Sequence, residues 1–112
     1  MKLLTIYLVV TLALVLTSCA NDSSTSSGTS EMLAAGDIVE CSGGYSELTA
    51  GIIEGYPDAT VVTLGDNAYE SGSKKEFECY DETWGKFKGR TRPSAGNHDY
   101  RTESAKGYFD YF

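Results

Sequence analysis

Short extended runs and amphipathic stretches alternate along the chain after residue 30. Three runs rich in small apolar or β-branched residues predict strands, and they cover residues 32–35, 60–64 and 91–94. Two stretches between them repeat apolar residues at helical spacing and predict helices, over residues 46–54 and 73–87. The order β-α-β-α-β favours adjacent parallel strands that are joined by right-handed crossovers. The pattern therefore predicts an α/β fold.

The same pattern predicts which side chains form the core. The run at 60–64 is almost continuously apolar or β-branched, which is typical of a strand that is covered on both faces. One face of the first helix is predicted to hold Leu48, Ile52 and Ile53. Helical spacing also places four aromatic residues on one side of the second helix, where they are expected in the core: Phe77, Tyr80, Trp84 and Phe87.

The beginning of the chain predicts export. Lys2 precedes a mostly apolar run over residues 3–16, which as a helix would be about 21 Å long. This length is short of the roughly 30 Å hydrocarbon core of a bilayer. A charged start followed by a short apolar centre is typical of a secretory signal peptide. We therefore predict a signal peptide over residues 1–18.

A more specific sequence ends the apolar run. The tetrapeptide Leu-Thr-Ser-Cys, which ends at Cys19, resembles a bacterial lipobox, and this implies that Cys19 is acylated and starts the mature chain. Residues 19–30 are rich in Ser and Thr and predict a flexible tether. The folded domain is then expected over residues 31–112. The predicted location is that of an exported bacterial lipoprotein, which contacts the membrane through its lipid anchor only.

The net charge argues against one class of binding partner, and the number of cysteines predicts a disulfide bond. The chain has 9 Lys+Arg against 16 Asp+Glu, a formal net charge of −7, and this acidic balance argues against nucleic acid as a partner. It contains three cysteines. Because Cys19 is assigned to the lipid, Cys41 and Cys79 remain as an even pair in an oxidising compartment, where a disulfide is expected. Two free thiols are the alternative.

A glycine followed by Asp or Asn stands at the end of each predicted strand. The three sequences are Gly36-Asp37, Gly65-Asp66-Asn67-Ala68-Tyr69 and Gly96-Asn97-His98-Asp99. Ligands of open α/β sheets bind outside the carboxyl ends of the strands, and carboxylate, phenolate and amide oxygens suit hard cations such as Fe(III), Mn(II) and Mg(II). The sequence therefore predicts a metal site at this edge. Its candidate ligands are Asp37, Asp66, Tyr69 and Asn97, and His98 stands beside them.

The order GD, GDNxY and GNHD resembles the calcineurin-like metallophosphoesterases. Tyr69 lies three places after Asp66, which resembles the purple acid phosphatase branch of that family. The resemblance extends from about Leu33 to the last residue. It implies a fold of α+β sandwich type, a two-sheet β-sandwich flanked by helices, with two metal ions at the strand ends.

The resemblance also implies a role for each motif residue. Asp37 and Tyr69 would bind Fe(III), and Asp66 would bridge the two ions. Asn97 would bind the second ion, a divalent Fe, Zn or Mn. His98 would face the substrate, a small phosphate ester, and stabilise its phosphoryl oxygens or protonate the leaving alkoxide. The implied reaction is acid-phosphatase-like hydrolysis of phosphomonoesters by a hydroxide that two metals activate.

Departures from the family pattern affect the expected activity. No His stands two residues after Asp37, which favours the Tyr-ligand branch. His98 is the one histidine of the chain, so the VxxH and GHxH motifs that supply further ligands in the family are missing. We therefore expect residues 31–112 to be the N-terminal portion of such a domain, inactive when alone. A non-catalytic, surface-tethered lipoprotein remnant is the alternative, and an adhesion or structural lipoprotein is a further one.

The lipobox predicts a lipidated Cys19 at the start of the mature chain. Mass spectrometry of the N-terminal peptide, prepared from bacterial membranes, should show the acyl mass on Cys19. The Cys19→Ala variant should leave the membrane fraction, because it has lost the acceptor of the lipid. An unmodified peptide that starts elsewhere, or an unchanged location of the variant, would contradict this assignment.

Overall fold

A computed structural model describes residues 29–112 of the chain. The predicted signal peptide, the lipidation of Cys19 and nearly all of the predicted tether lie outside the described residues. Within residues 29–112, no helix has both the length and the apolar character that crossing a bilayer requires.

Five strands and three α-helices follow one another in the described chain. They are β1 (Met32–Ala35), β2 (Val39–Glu40), α1 (Ser46–Glu54), β3 (Thr60–Thr63), β4 (Ala68–Tyr69), α2 (Lys74–Thr83), β5 (Thr91–Arg92) and α3 (Lys106–Tyr111). Three 3-10 helices complete the order, at Trp84–Arg90, Asp99–Arg101 and Glu103–Ala105. The predicted helix over 46–54 coincides with α1. The predicted helix over 73–87 divides into α2 and the first 3-10 helix, and the predicted strand over 91–94 is shorter.

The strands form two small parallel sheets. The larger sheet has the order β1-β3-β5, with Leu33 opposite Val61 and Val61 opposite Thr91. The smaller sheet pairs β2 with β4, and Val39 lies opposite Ala68. The chain is thus a small domain of helices and short parallel strands, as the β-α-β-α-β pattern predicts. Sequence analysis missed the second sheet, because strands of two residues are too short to show a period of two.

One face of the larger sheet packs against the helices. Val61 and Thr63 are fully buried, whereas Thr60 and Val62 on the opposite face keep part of their exposure. Leu64 lies beyond the end of β3 and is 67% exposed. The prediction that the strand is covered on both faces is therefore wrong. Val61 belongs to the same core cluster as the buried apolar residues of the helices. The buried face of the strand is therefore the face against which the helices pack.

The buried face of α1 also differs from the prediction. Ile53 is buried, but Leu48 and Ile52 are 67% and 62% exposed. The buried residues are Ser46, Ala50 and Ile53, which recur at i, i+4 and i+7 and so form one stripe of the helix. The small side chains of Ser46 and Ala50 allow the helix backbone to approach the core closely, and the larger apolar residues remain outside.

The predicted aromatic side over residues 73–87 is buried, as expected. Phe77 and Tyr80 belong to α2, and Trp84 and Phe87 belong to the 3-10 helix that follows it. The short helix α3, which sequence analysis did not predict, adds rings to this cluster, and Tyr111 stacks on Phe77 with ring centroids 5.1 Å apart. The Nε1 of Trp84 donates a hydrogen bond to Thr49 Oγ1 at 3.1 Å, so the cluster also fixes α1.

Cys41 and Cys79 are joined by a disulfide that ties the end of β2 to α2. Their Cα atoms are 5.6 Å apart. Replacing both cysteines by Ser should lower the free energy of unfolding by up to about 3–4 kcal/mol, because the unfolded chain regains the entropy of an open loop. Urea denaturation with and without a reductant measures this change, and the reductant should not affect the double variant. Two reactive thiols besides Cys19 in the denatured, non-reduced protein would contradict the bond.

Candidate metal site at the strand ends

The glycines in the loops that follow the three strands of the larger sheet (Gly36, Gly65 and Gly96) lie close to one another. The backbone N–H of Asp37 donates to the carbonyl of Gly65 at 3.3 Å. A Cβ atom on Gly65, whose φ is +101°, would lie 2.9 Å from the Cα of Gly96, closer than a side chain tolerates. A Cβ on Gly96 would in turn overlap the backbone and carboxylate of Asp66. The glycines are therefore needed so that the three loops can meet.

Asp37 and Asp66 adopt the same unusual backbone conformation. Their φ angles are +54° and +51°, in the left-handed region that costs a residue with a side chain roughly 1–3 kcal/mol. Beyond these turns the two loops run side by side, because Ile38 N–H donates to the carbonyl of Asp66 at 3.0 Å and Val39 N–H donates to that of Asn67 at 3.1 Å. The two aspartates thus leave adjacent parallel strands through matching turns.

The hydroxyl of Tyr69 connects the two carboxylates. It is hydrogen-bonded to Asp37 Oδ1 and lies 3.2 Å from Asp66 Oδ2. Burial, the hydrogen bond to Asp37 and the charge of Asp66 raise the pKa of Tyr69 above its ordinary value of 10.0. Three oxygens that favour hard cations therefore meet at one point, where two negative charges surround a phenol. The donor set fits the metal that the motif resemblance implies.

His98 packs beside this point. Its backbone N–H donates to Asp66 Oδ1 at 2.8 Å, and its ring centroid is 4.4 Å from that of Tyr69. Ring atom Nδ1 lies 2.8 Å from the carbonyl oxygen of Glu70. This carbonyl can only accept, so Nδ1 carries the proton and Nε2 is free to accept. Arg101 Nη2 lies 3.1 Å from Nε2 and supplies that donor.

Asn97 differs from the other candidates. Its side chain is exposed, and no hydrogen bond among residues 29–112 connects its amide to Asp66 or Tyr69. The structure therefore brings Asp37, Asp66, Tyr69 and His98 together and leaves Asn97 exposed. Across the same residues, no group of three or more His, Cys, Asp or Glu side chains is placed to hold a metal ion. The oxygens that meet at Tyr69 are those of two carboxylates and one phenol.

An open cleft of about 320 Å³ lies beside the converging oxygens. Asp37 and Tyr69 contribute to its lining, together with Tyr45, Thr49 and Trp84. This size is at the lower end of the range for small-molecule sites. A larger cleft, of about 510 Å³, lies between α2 and α3 and contains none of the candidate residues.

Asp99 is a central residue of the site that sequence analysis did not single out. Its side chain is fully buried. Both carboxylate oxygens lie 3.2 Å from the backbone N of Asn67, and Oδ2 also accepts from Asn67 Nδ2 at 2.9 Å and from Gly96 N at 2.8 Å. The carboxylate therefore holds the loop after β3 against the loop after β5. Its place within GNHD was the available signal, although the motif alone does not show that the side chain is buried.

Glu76 organises the loop that follows Tyr69. Its carboxylate accepts hydrogen bonds from the backbone N–H of Glu70 at 2.5 Å, of Ser71 at 3.1 Å and of Ser73 at 2.7 Å. Both serine hydroxyls also donate to it. Burial opposes the charged form, but the bonds from Ser73 and Ser71 outweigh it and lower the pKa of Glu76 from 4.5 to about 2. The Ser-x-x-Glu spacing before α2 is the sequence signal of this capping box.

Asp99→Asn should destabilise the protein strongly, because the new amide presents a donor where the neighbouring groups all donate. Loss of a buried, multiply bonded carboxylate costs about 3 kcal/mol or more. Chemical denaturation of the full chain measures the change. Asp58→Asn, at an exposed position, is the matched control and should change stability by less than about 0.5 kcal/mol. Equal stability of the two variants would contradict the assignment of Asp99.

Comparison with known proteins gives no relative for this chain. No family model, curated protein or solved structure matches it.

Proposed function

We propose that the strand-end site belongs to a metal-dependent phosphoesterase of the calcineurin-like, purple acid phosphatase type. The observation that carries the proposal is the Tyr69 hydroxyl, which is within hydrogen-bonding range of the carboxylates of both Asp37 and Asp66. Asp37 and Asp66 follow two different strands, β1 and β3, and Tyr69 lies in β4. The GD and GDNxY motifs associate the same three residues with metal binding. The domain is proposed to be part of the two-sheet sandwich of that family.

In this proposal the oxygen ligands divide between two ions. Asp37 and Tyr69 would hold Fe(III), Asp66 would bridge the two ions, and Asn97 would bind the divalent ion. When bound, two such ions neutralise the phosphoryl group and activate water for in-line attack. The residues of the chain would then contribute mainly by positioning the substrate.

The electrostatics of the site support a cation between protein and substrate. The chain is acidic, with a formal net charge of −7, and two carboxylates face the point where Tyr69 lies. A phosphate dianion placed directly against them would be repelled, since like charges at contact disfavour binding. Bound cations would make the local electrostatic potential positive. The carboxylates would hold the cations, and the cations would hold the phosphate ester.

His98 has the position that a substrate-facing residue needs. Its backbone is fixed by Asp66, and its Nδ1 is held by the carbonyl of Glu70. The ring atom Nε2 faces Arg101, whose Nη2 lies 3.1 Å away. In the proposed reaction Arg101 would turn from Nε2 to the ester. The His98 ring, once protonated at Nε2 as well, would donate to the phosphoryl oxygens or pass that proton to the leaving alkoxide.

A second candidate function is that of a non-catalytic lipoprotein, exported and tethered at the bacterial membrane through Cys19. Residues 1–112 contain one histidine, His98, and this favours the second candidate, because one imidazole is fewer than the two metal shells take up in the family pattern. Both candidates share the tethered location. They differ in whether the site turns over a phosphate ester.

Metal titration tests the proposal on the full chain. Calorimetry should show weak binding of Mn(II) or Zn(II), because the available ligands leave several coordination positions to water. Tyr69→Phe and Asp66→Asn should weaken this binding by about tenfold each, which is the loss of one ligand. The matched controls are Tyr100→Phe and Asp58→Asn, at exposed positions, and they should leave binding unchanged. Equal affinities in all variants would contradict the site.

A further readout of the same samples tests whether the chain catalyses the reaction without the further histidines of the family pattern. With p-nitrophenyl phosphate and each metal, turnover should not exceed the metal-only blank. Turnover that exceeds the blank and disappears in Asp66→Ala would show that the single histidine suffices for catalysis, contrary to this account.

A further inference from the structure

Arg101 is a cationic residue of the site that the motifs do not include. It ends the 3-10 helix Asp99–Arg101, three residues after His98. Its Nη2 lies 3.1 Å from His98 Nε2, and its Nη1 donates to the main-chain carbonyl of Glu70 at 3.1 Å. Among residues 29–112, no other Lys or Arg hydrogen-bonds to a candidate ligand or to His98. The guanidinium therefore lies against the Nε2 edge of the imidazole.

The ion pair between Arg101 and the Glu70 carboxylate is weak. Nη1 is paired with Glu70 Oε2 at 3.2 Å, and the two side chains are 49% and 74% exposed. Ion pairs in such exposed positions contribute little to stability. The contact with the main-chain carbonyl of Glu70 does not depend on this pair, so the arginine stays in place when the carboxylate leaves. An anion that binds more tightly than a single carboxylate can thus replace Glu70.

We propose that Arg101 binds the phosphoryl group of the substrate beside His98, with the Glu70 carboxylate occupying that position in the free protein. The inference rests on the proposed function and adds a residue to it. A guanidinium presents paired N–H donors that match two oxygens of a phosphate, and such charge-assisted pairs are stronger than a contact with a neutral group. Arg101 would hold the ester beside the ring of His98.

The geometry explains why the residue follows the GNHD motif. The buried Asp99 fixes the start of the 3-10 helix, so Arg101 projects from a rigid turn and not from an open loop. Phosphoryl transfer depends mainly on positioning and charge neutralisation. Arg101 is a cation at a fixed place, and the Glu70 carboxylate that pairs with it can be displaced. It can therefore both position the phosphoryl group and neutralise its charge.

Titration of the full chain with inorganic phosphate in excess magnesium chloride, followed by NMR, tests the proposal. Arg101→Gln should weaken phosphate binding by about tenfold, the loss of one charge-assisted pair. Arg101→Lys should fall between this variant and the wild type, because it keeps the charge without the paired donors. Arg92→Gln removes the same charge from an exposed residue of β5 and should leave the affinity unchanged.

The Glu70→Gln variant gives the most specific test, because the proposal predicts that its affinity for phosphate is higher than that of the wild type. Removing the competing carboxylate should strengthen phosphate binding several-fold, and this gain should largely disappear when Arg101→Gln is also present. A purely structural Arg101 would give no such coupling. Circular dichroism should show that each variant melts within a few degrees of the wild type, since the pair is exposed.

The outcomes separate this inference from the function on which it rests. Phosphate binding that falls in Tyr69→Phe but not in Arg101→Gln would overturn the role of Arg101 and leave the metal site intact. Binding that falls in Arg101→Gln but does not depend on Tyr69 or on magnesium would support Arg101 and contradict the metal proposal. Wild-type protein that binds no phosphate would overturn both.

Discussion

The hydrogen bonds to the buried carboxylate of Asp99 are the interaction on which the rest of the site depends. A buried carboxylate is tolerable only when donors surround it. Here the donors are backbone and amide groups of Asn67 and Gly96, which belong to loops that follow two different strands. These loops must therefore close together. Asp66 precedes Asn67 and His98 precedes Asp99, so closing the loops also fixes the residues proposed to meet metal and substrate.

The local strain of the site follows from the same constraint. Asp37 and Asp66 both have positive φ angles, a conformation that persists only where surrounding contacts determine it. The paired loops supply those contacts through the hydrogen bonds from Ile38 and Val39. The result is two carboxylates held toward one phenol. In the proposed function, this unfavourable concentration of charge becomes an advantage once cations bind.

The sequence predicts the larger elements and the residue types of the site, but not the contacts that unite them. The helical period located α1 and the buried aromatic side over residues 73–87 correctly. It failed for Leu48 and Ile52, because the small side chains at Ser46 and Ala50 decide which face approaches the core. The second sheet and α3 depend on tertiary pairing of very short segments, which no local pattern records. Asp99 and Arg101 could not be assigned for a similar reason, since burial and neighbours define their roles.

The central claim is that the oxygens of Asp37, Asp66 and Tyr69 share a cation. Crystals of the chain soaked in Mn(II), measured at the manganese absorption edge, test it most directly, because the anomalous signal locates the ion without reference to activity. The account predicts an anomalous peak within coordination distance of all three side-chain oxygens, with the hydrogen bonds of the Tyr69 hydroxyl replaced by metal contacts. A structure in which Tyr69 still bonds to both carboxylates, and manganese binds only elsewhere, would contradict it.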